Sequence, residues 1–169
     1  KYIQQVFKDH AWDTDWKPSK DEYADATVGL GADQLEAFRT AWSNRISVIS
    51  GGAGTGKTFV VSRLTQAFRE RGSVVALCAP TGKAAKRIEQ LLKEHGVDAS
   101  ASTIHRLLGY NGREFSDEPI PADVLIVDEV SMVDVRLMAT LLRHLKLNKT
   151  RLILVGDHNQ LPPVGPGNV

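Results

Sequence analysis

Gly51-Gly52-Ala53-Gly54-Thr55-Gly56-Lys57-Thr58 matches the phosphate-binding loop pattern G-x-x-x-x-G-K-[ST] at every fixed position. The chemistry explains the pattern. Glycines let successive backbone N–H groups turn inward around a phosphate, the lysine ammonium neutralises the β/γ oxygens, and the threonine hydroxyl reaches Mg²⁺. Its surroundings fit a strand–loop–helix unit. Arg45-Ile46-Ser47-Val48-Ile49-Ser50 reads as a buried strand, and Thr58 to Arg71 carries Phe59, Val60, Leu64, Ala67 and Phe68 at helical spacing. Gly52, Ala53, Gly54, Thr55, Gly56, Lys57 and Thr58 are therefore the expected ligands of a nucleoside triphosphate.

Working outward, apolar strands alternate with helical patterns. Strands are expected at 73–79, 123–127 and 151–155, and helices at 34–43, 82–95 and 103–108, with another carrying Val135, Met138, Leu141, Leu142 and Leu145. That alternation predicts an α/β fold with a parallel sheet covered by helices on both faces. The composition allows one good core: 169 residues, of which 42% are hydrophobic, imply a single domain. Residues 1–32 differ, with Trp12 and Trp16 set among acids, and read as a peripheral arm or linker preceding a domain at 33–169. The tryptophans suit packing of that arm, or stacking on a nucleotide.

The net charge of +1 gives no global case for a polyanion partner, so any such surface is a local patch. The first 25 residues are acidic, whereas Lys83, Lys86, Arg87, Lys93, Arg106 and Arg113 make the middle basic. On an amphipathic helix Lys86, Arg87 and Lys93 read as a solvated face. Cys78 is the one cysteine, placed in an apolar run, and reads as a small core residue in a reducing cytoplasm. No apolar stretch approaches membrane-span length.

A triphosphate site needs a carboxylate element, and Val124-Leu125-Ile126-Val127-Asp128-Glu129 supplies one at a strand's carboxyl end. Asp128 is expected to hold Mg²⁺ together with Thr58. Glu129 is expected to orient or deprotonate the attacking water, because phosphoryl transfer depends mainly on positioning and charge neutralisation.

Six segments in order then resemble superfamily 1B DNA helicases of the RecD-like group, from Gln34 to Gly167. Asp33-Gln34-Leu35 resembles the Q motif and is followed by the phosphate loop. Ala79-Pro80-Thr81-Gly82-Lys83-Ala84-Ala85 resembles motif Ia, and Ser102-Thr103-Ile104-His105-Arg106-Leu107-Leu108-Gly109 motif Ib. Asp128-Glu129-Val130-Ser131-Met132-Val133-Asp134 resembles motif II, and Leu154-Val155-Gly156-Asp157-His158-Asn159-Gln160-Leu161-Pro162-Pro163-Val164 motif III. The resemblance implies a RecA-like motor domain, the first of two, that uses ATP and Mg²⁺ to drive 5′-to-3′ movement on single-stranded DNA, in repair or recombination.

It also implies residue roles. The Gln34 amide has the donor and acceptor needed to pair with adenine N6 and N7. Gln160 senses the γ-phosphate by family analogy; Asp157 either contributes there or caps the loop. Pro80, Thr81, Gly82 and Lys83 offer N–H groups, a hydroxyl and a cation to DNA phosphates, with Thr103 and His105 as further contacts. Thr103 is equally an ordinary helix cap, and His105 a packing residue. Few aromatics lie near these motifs, which favours tracking along the backbone over base stacking. Residues 109–121 fall where the group carries a strand-separating pin, with Tyr110, Arg113 and Phe115 at its tip, or form a plain loop.

The family's second motor domain, with its transition-state arginines, is not among these residues, so the 169 residues read as a piece of a longer chain. By themselves they are expected to bind ATP-Mg weakly, hydrolyse it slowly and not unwind DNA. The implied partners are that second domain, single-stranded DNA and subunits of a nuclease complex. A binding module that grips DNA or a partner by nucleotide state, without translocating, is the competing reading. A small-molecule kinase is disfavoured, since motifs Ia, Ib and III have no role there and a lid is absent.

Overall fold

The computed structural model describes residues 24–52 and 56–157. Its centre is a five-stranded sheet in the order β1-β5-β4-β2-β3, with every neighbouring pair parallel. The strands are β1 Ile46–Ser50, β2 Val75–Ala79, β3 Ala101–Thr103, β4 Val124–Val127 and β5 Arg151–Gly156. Parallel pairing explains why β4 and β5 read as unbroken apolar runs: both faces are covered. Leu125, Val127, Leu152 and Leu154 join one core, while Val124, Ile126, Ile153 and Val155 join the other.

Helices α1 Ala32–Ser43, α2 Lys57–Glu70 and α3 Gly82–Glu94 cover the second face. Trp42 of α1 is fully buried and stacks between Phe38 at 5.6 Å and Phe68 of α2 at 4.4 Å, pinning α1 to α2. The opposite face is closed by α4 Ile104–Leu107, by α5 Val135–Arg143 through Met138, Leu141 and Leu142, and by Ile120 and Phe115 from the 109–121 connection. Of the expected arm, residues 25–27 form a single 3₁₀ turn, and Ala26 and Leu30 pack against the core. Trp12 and Trp16 lie outside the described residues.

The helix expected at 103–108 is present as the single turn α4, capped by Thr103 and Leu108, but a short strand not expected there precedes it: β3 pairs with β2 through Ala101, Ser102 and Thr103. Three half-buried residues at a sheet edge give too short a run for period-2 alternation to register. The connection at 109–121, read as a pin or a plain loop, contains no strand and folds back tightly. Asn111 N–H donates to the Glu114 carbonyl, Asn111 Oδ1 accepts from the N–H groups of Arg113 and Glu114, and Ser116 N–H returns to the Leu108 carbonyl. Gly109, at φ +66°, is required here, because a Cβ on it would stand 2.7 Å from Ser116 Cβ.

Candidate nucleotide-binding site

All five strands point the same way, so every motif that follows a strand reaches the carboxyl edge of the sheet. The phosphate loop leaves β1 there, Thr81 to Lys83 leave β2, His105 follows β3, Asp128 and Glu129 follow β4, and Asp157 follows β5. A cavity of about 580 Å³ opens at this edge. Its walls include Gly52, Gly56, Lys57 and Thr58 from the loop and helix α2, Asp128 and Glu129 beyond β4, and Gly156 and Asp157 at the end of β5.

The left-handed turn at Gly56, φ +77°, starts α2 and so presents Lys57 and Thr58 on its first turn. The Lys57 ammonium donates to the Gly51 carbonyl at 2.6 Å and lies 3.5 Å from that of Gly52. The cation thus folds back over its own loop, where a phosphate oxygen would exchange for those carbonyls. Gln34 sits on the other side of the loop. Its Oε1 accepts from Gly31 N–H at 2.9 Å, reaching back over the first turn of α1, and its Nε2 donates to the Gly56 carbonyl at 3.3 Å. Gly56 is required by its left-handed backbone angle, whereas a side chain there would only displace the flexible end of Gln34. Ala53, Gly54, Thr55 and Gln160 lie outside the described residues.

Asp128 and Glu129 share the cavity wall. Burial, followed by the like charge of Glu129, pushes the Asp128 carboxyl above its ordinary range, while a backbone N–H bond, Lys57 and Arg87 pull the other way. The Asp128 N–H is fixed to the Cys78 carbonyl at 2.9 Å. Cys78 is itself buried, its thiol pushed up to about 12 by burial and then by Asp128, so it packs and does not react. Glu129 has φ 53° and ψ 41°, the one left-handed non-glycine among the described residues. Such a conformation costs on the order of 1 kcal/mol and persists where surrounding structure imposes it. Here β4 ends on one side and the 3₁₀ turn Val130–Met132 begins on the other, with Met132 N–H closing onto the Glu129 carbonyl.

Thr58 and Asp128 offer a hydroxyl and a carboxylate, hard oxygen donors that suit Mg²⁺ shared with phosphates. Among the described residues no group of three or more His, Cys, Asp or Glu side chains could cage a metal without such help.

The residues expected on the DNA side divide. Thr81 and Lys83 line the nucleotide cavity itself, and Thr81 Oγ1 caps α3 by accepting from Ala84 N–H at 3.1 Å. Thr103 caps α4 in the same way through Arg106 N–H. Pro80 is half-buried and Gly82 exposed at the start of α3. His105 is exposed and joins Tyr110 at 5.3 Å and Phe115 at 5.7 Å, with Tyr110 and Phe115 4.9 Å apart. That cluster corrects the reading that aromatics are scarce near these motifs. Tyr110 and Phe115 are separated in sequence, and the fold-back at 111–114 brings them together at the root of the connection, leaving Arg113 in the turn. Arg87 is a second correction: it is exposed, but it lines the cavity beside Asp128 and is no plain solvated charge. Periodicity shows which side of a helix is apolar and gives no sign of what faces the polar side.

Comparison with known proteins agrees with this architecture. Residues 34–166 match the family model described as an AAA domain. The ATP-dependent RecD2 DNA helicase of Deinococcus radiodurans is 41% identical over 162 residues, covering 94% of this chain and 21% of the relative. The RecBCD enzyme subunit RecD of Haemophilus influenzae is 41% identical over 160 residues, covering 80% of this chain and 25% of the relative. The chain thus spans about a fifth to a quarter of the length of these curated relatives. Among solved structures, the Pif1 helicase from Candida albicans superposes with a TM-score of 0.56 at 28% identity, covering 82% of this chain and 34% of that one. The UvsW helicase of bacteriophage T4, at 12% identity and a TM-score of 0.63, shares the fold. A parallel sheet that gathers a phosphate loop, an Asp–Glu pair and the motif Ia turn at one edge, matched over residues 34–166, places this chain in the AAA domain family, where it is similar to RecD and RecD2 helicases.

Proposed function

We propose that this chain is the ATP-binding motor domain of a DNA helicase that couples ATP hydrolysis to 5′-to-3′ movement on single-stranded DNA. The observation that carries the reading is one cavity whose walls hold Lys57 and Thr58, Asp128 and Glu129, and also Thr81 and Lys83 of α3. Lys57 holds the β/γ oxygens, and Thr58 and Asp128 hold Mg²⁺, which supplies charge neutralisation when bound. Glu129 orients the attacking water and takes its proton. Gln34, already bonded to the loop, reads the adenine edge and favours ATP, and Gln160 responds to the γ-phosphate.

Pro80, Thr81, Gly82, Lys83, Thr103 and His105 form the start of the strand track. The partners in this reading are single-stranded DNA, a second RecA-like domain of the same protein that closes the cleft, and, by analogy with the RecD relatives, subunits of a nuclease complex. The location in this reading is cytoplasmic, where the single buried Cys78 stays reduced.

Strand displacement by the full-length protein, compared with its Lys57→Ala and Glu129→Gln variants, tests the proposal. Unwinding that needs ATP and both side chains is the expected result. ATP-dependent DNA binding with no unwinding in the unmodified protein would establish the binding-module reading instead.

A further inference from the structure

Helix α3 runs along the nucleotide cavity and lines it with Lys83, Ala84, Arg87, Ile88 and Leu91. Ile88 is buried in the core, and Lys83 and Arg87 are the two cations that α3 adds to the opening. Positions four apart on a helix lie on one face, separated by about 6 Å along the axis. The charge of the wall shows what they do. Among the described lining residues, Asp128, Glu129 and Asp157 are acidic, and Lys57, Lys83 and Arg87 are basic. Without α3, one cation would face three carboxylates. Such a cleft would repel a magnesium-bound triphosphate, which is itself a net anion.

Resting on the nucleotide-site reading above, we propose that Arg87 is a further nucleotide-contacting residue, a cation supplied by this chain to the γ-phosphate end of the cleft. Its place beside Asp128 and Glu129 assigns it to that end, because there the metal and the attacking water belong and the γ-phosphate's charge departs when inorganic phosphate leaves after hydrolysis. Its electrostatic effect on Asp128 agrees with this position. A guanidinium suits the task, since its planar fork donates to two phosphate oxygens together. Arg87 also shares one rigid helix with Thr81 and Lys83, so a pull on the guanidinium is felt at the motif Ia turn.

The test compares the full-length protein with its Arg87→Ala, Arg87→Lys and Lys86→Ala variants, measuring affinity for ADP and for a non-hydrolysable ATP analogue. Lys86 is exposed on the same helix and does not line the cavity, so its loss changes net charge equally. Arg87→Ala is expected to weaken the ATP analogue about tenfold while changing ADP less than about twofold, with Arg87→Lys recovering part of the loss. Equal effects of Arg87→Ala and Lys86→Ala on both nucleotides would overturn the inference. Lys57→Ala keeps this separate from the larger reading. If that variant also binds normally, the nucleotide site is misplaced; if it alone loses binding, only the role of Arg87 fails.

Discussion

The two edges of the sheet treat their polar side chains in opposite ways. At the amino edge, where the strands begin, charged and hydroxyl groups are tied to backbone. Arg151 donates to the Asn44 and Ala41 carbonyls, Arg45 to the Leu147 carbonyl, and Thr150 Oγ1 to the Ala122 carbonyl, while Asp123 accepts from Val74 N–H. Burial and then Arg45 bring Arg151 down to about 10, yet it stays charged at neutral pH and also lies over the Phe68 ring at 5.5 Å. At the carboxyl edge the charged groups line an open cavity instead. Lys57 leans on loop carbonyls, Asp128 is half-buried against its preference, and Glu129 is held in a left-handed conformation. One edge stabilises the fold; the other stores unfavourable energy where a ligand can release it.

The contrast is breakable by substitution. The largest effect is expected from Glu129→Gln at the carboxyl edge, where ATP turnover should fall about 10²- to 10⁴-fold with nucleotide affinity retained. Steady-state kinetics beside equilibrium binding would decide it, and an equal loss in both would remove Glu129 from the role of base. Lys57→Ala should weaken ATP binding about 10- to 100-fold while leaving Tm nearly unchanged, since its present partners are exchangeable loop carbonyls.

Arg151→Ala at the amino edge should do the reverse. Denaturant unfolding is expected to show a loss of about 1.5–3 kcal/mol, with ATP affinity unaltered in whatever fraction stays folded. A purely functional defect there would collapse the distinction between the edges. The smallest effect on stability is a gain: Asp128→Asn should raise the Tm of the nucleotide-free protein by a few degrees, even though it should abolish Mg²⁺-dependent binding. Because the Asp128 carboxyl is pushed up, the folded state holds its proton more tightly than the unfolded state. Stability therefore falls as pH rises from the ordinary carboxylate range through the raised one, and the advantage of Asn should grow across that window. A Tm difference that is flat with pH would show that charge burial is not its source.

Much of the amino-to-carboxyl plan was legible in the chain, for physical reasons. Strands buried on both faces leave unbroken apolar runs, and a loop that wraps phosphates needs glycine at fixed spacing, so β1, β4, β5 and the phosphate loop show in the letters. Asp128 and Glu129 follow from their position at the end of such a run. What stayed hidden depends on distances between elements. No residue type signals that Glu129 is left-handed, because the strain is imposed by β4 and the next turn. Arg87 looks like any charge on a polar helix face until the opposite wall is built. The His105, Tyr110 and Phe115 cluster exists only after residues 111–114 reverse the chain.

Strand order has a consequence for how the molecule comes into being. β1 and β4, which carry the two halves of the chemistry, never touch; β5 is the strand wedged between them, and it is the last of the five to be synthesised. Pairing Ile46 with Leu152 closes a long loop, the kind of contact that forms slowly. On the ribosome, the phosphate loop and the acidic strand must therefore wait, unjoined, until residues 151–156 have emerged. The two walls of the triphosphate cavity are thus brought side by side only in the finished sheet.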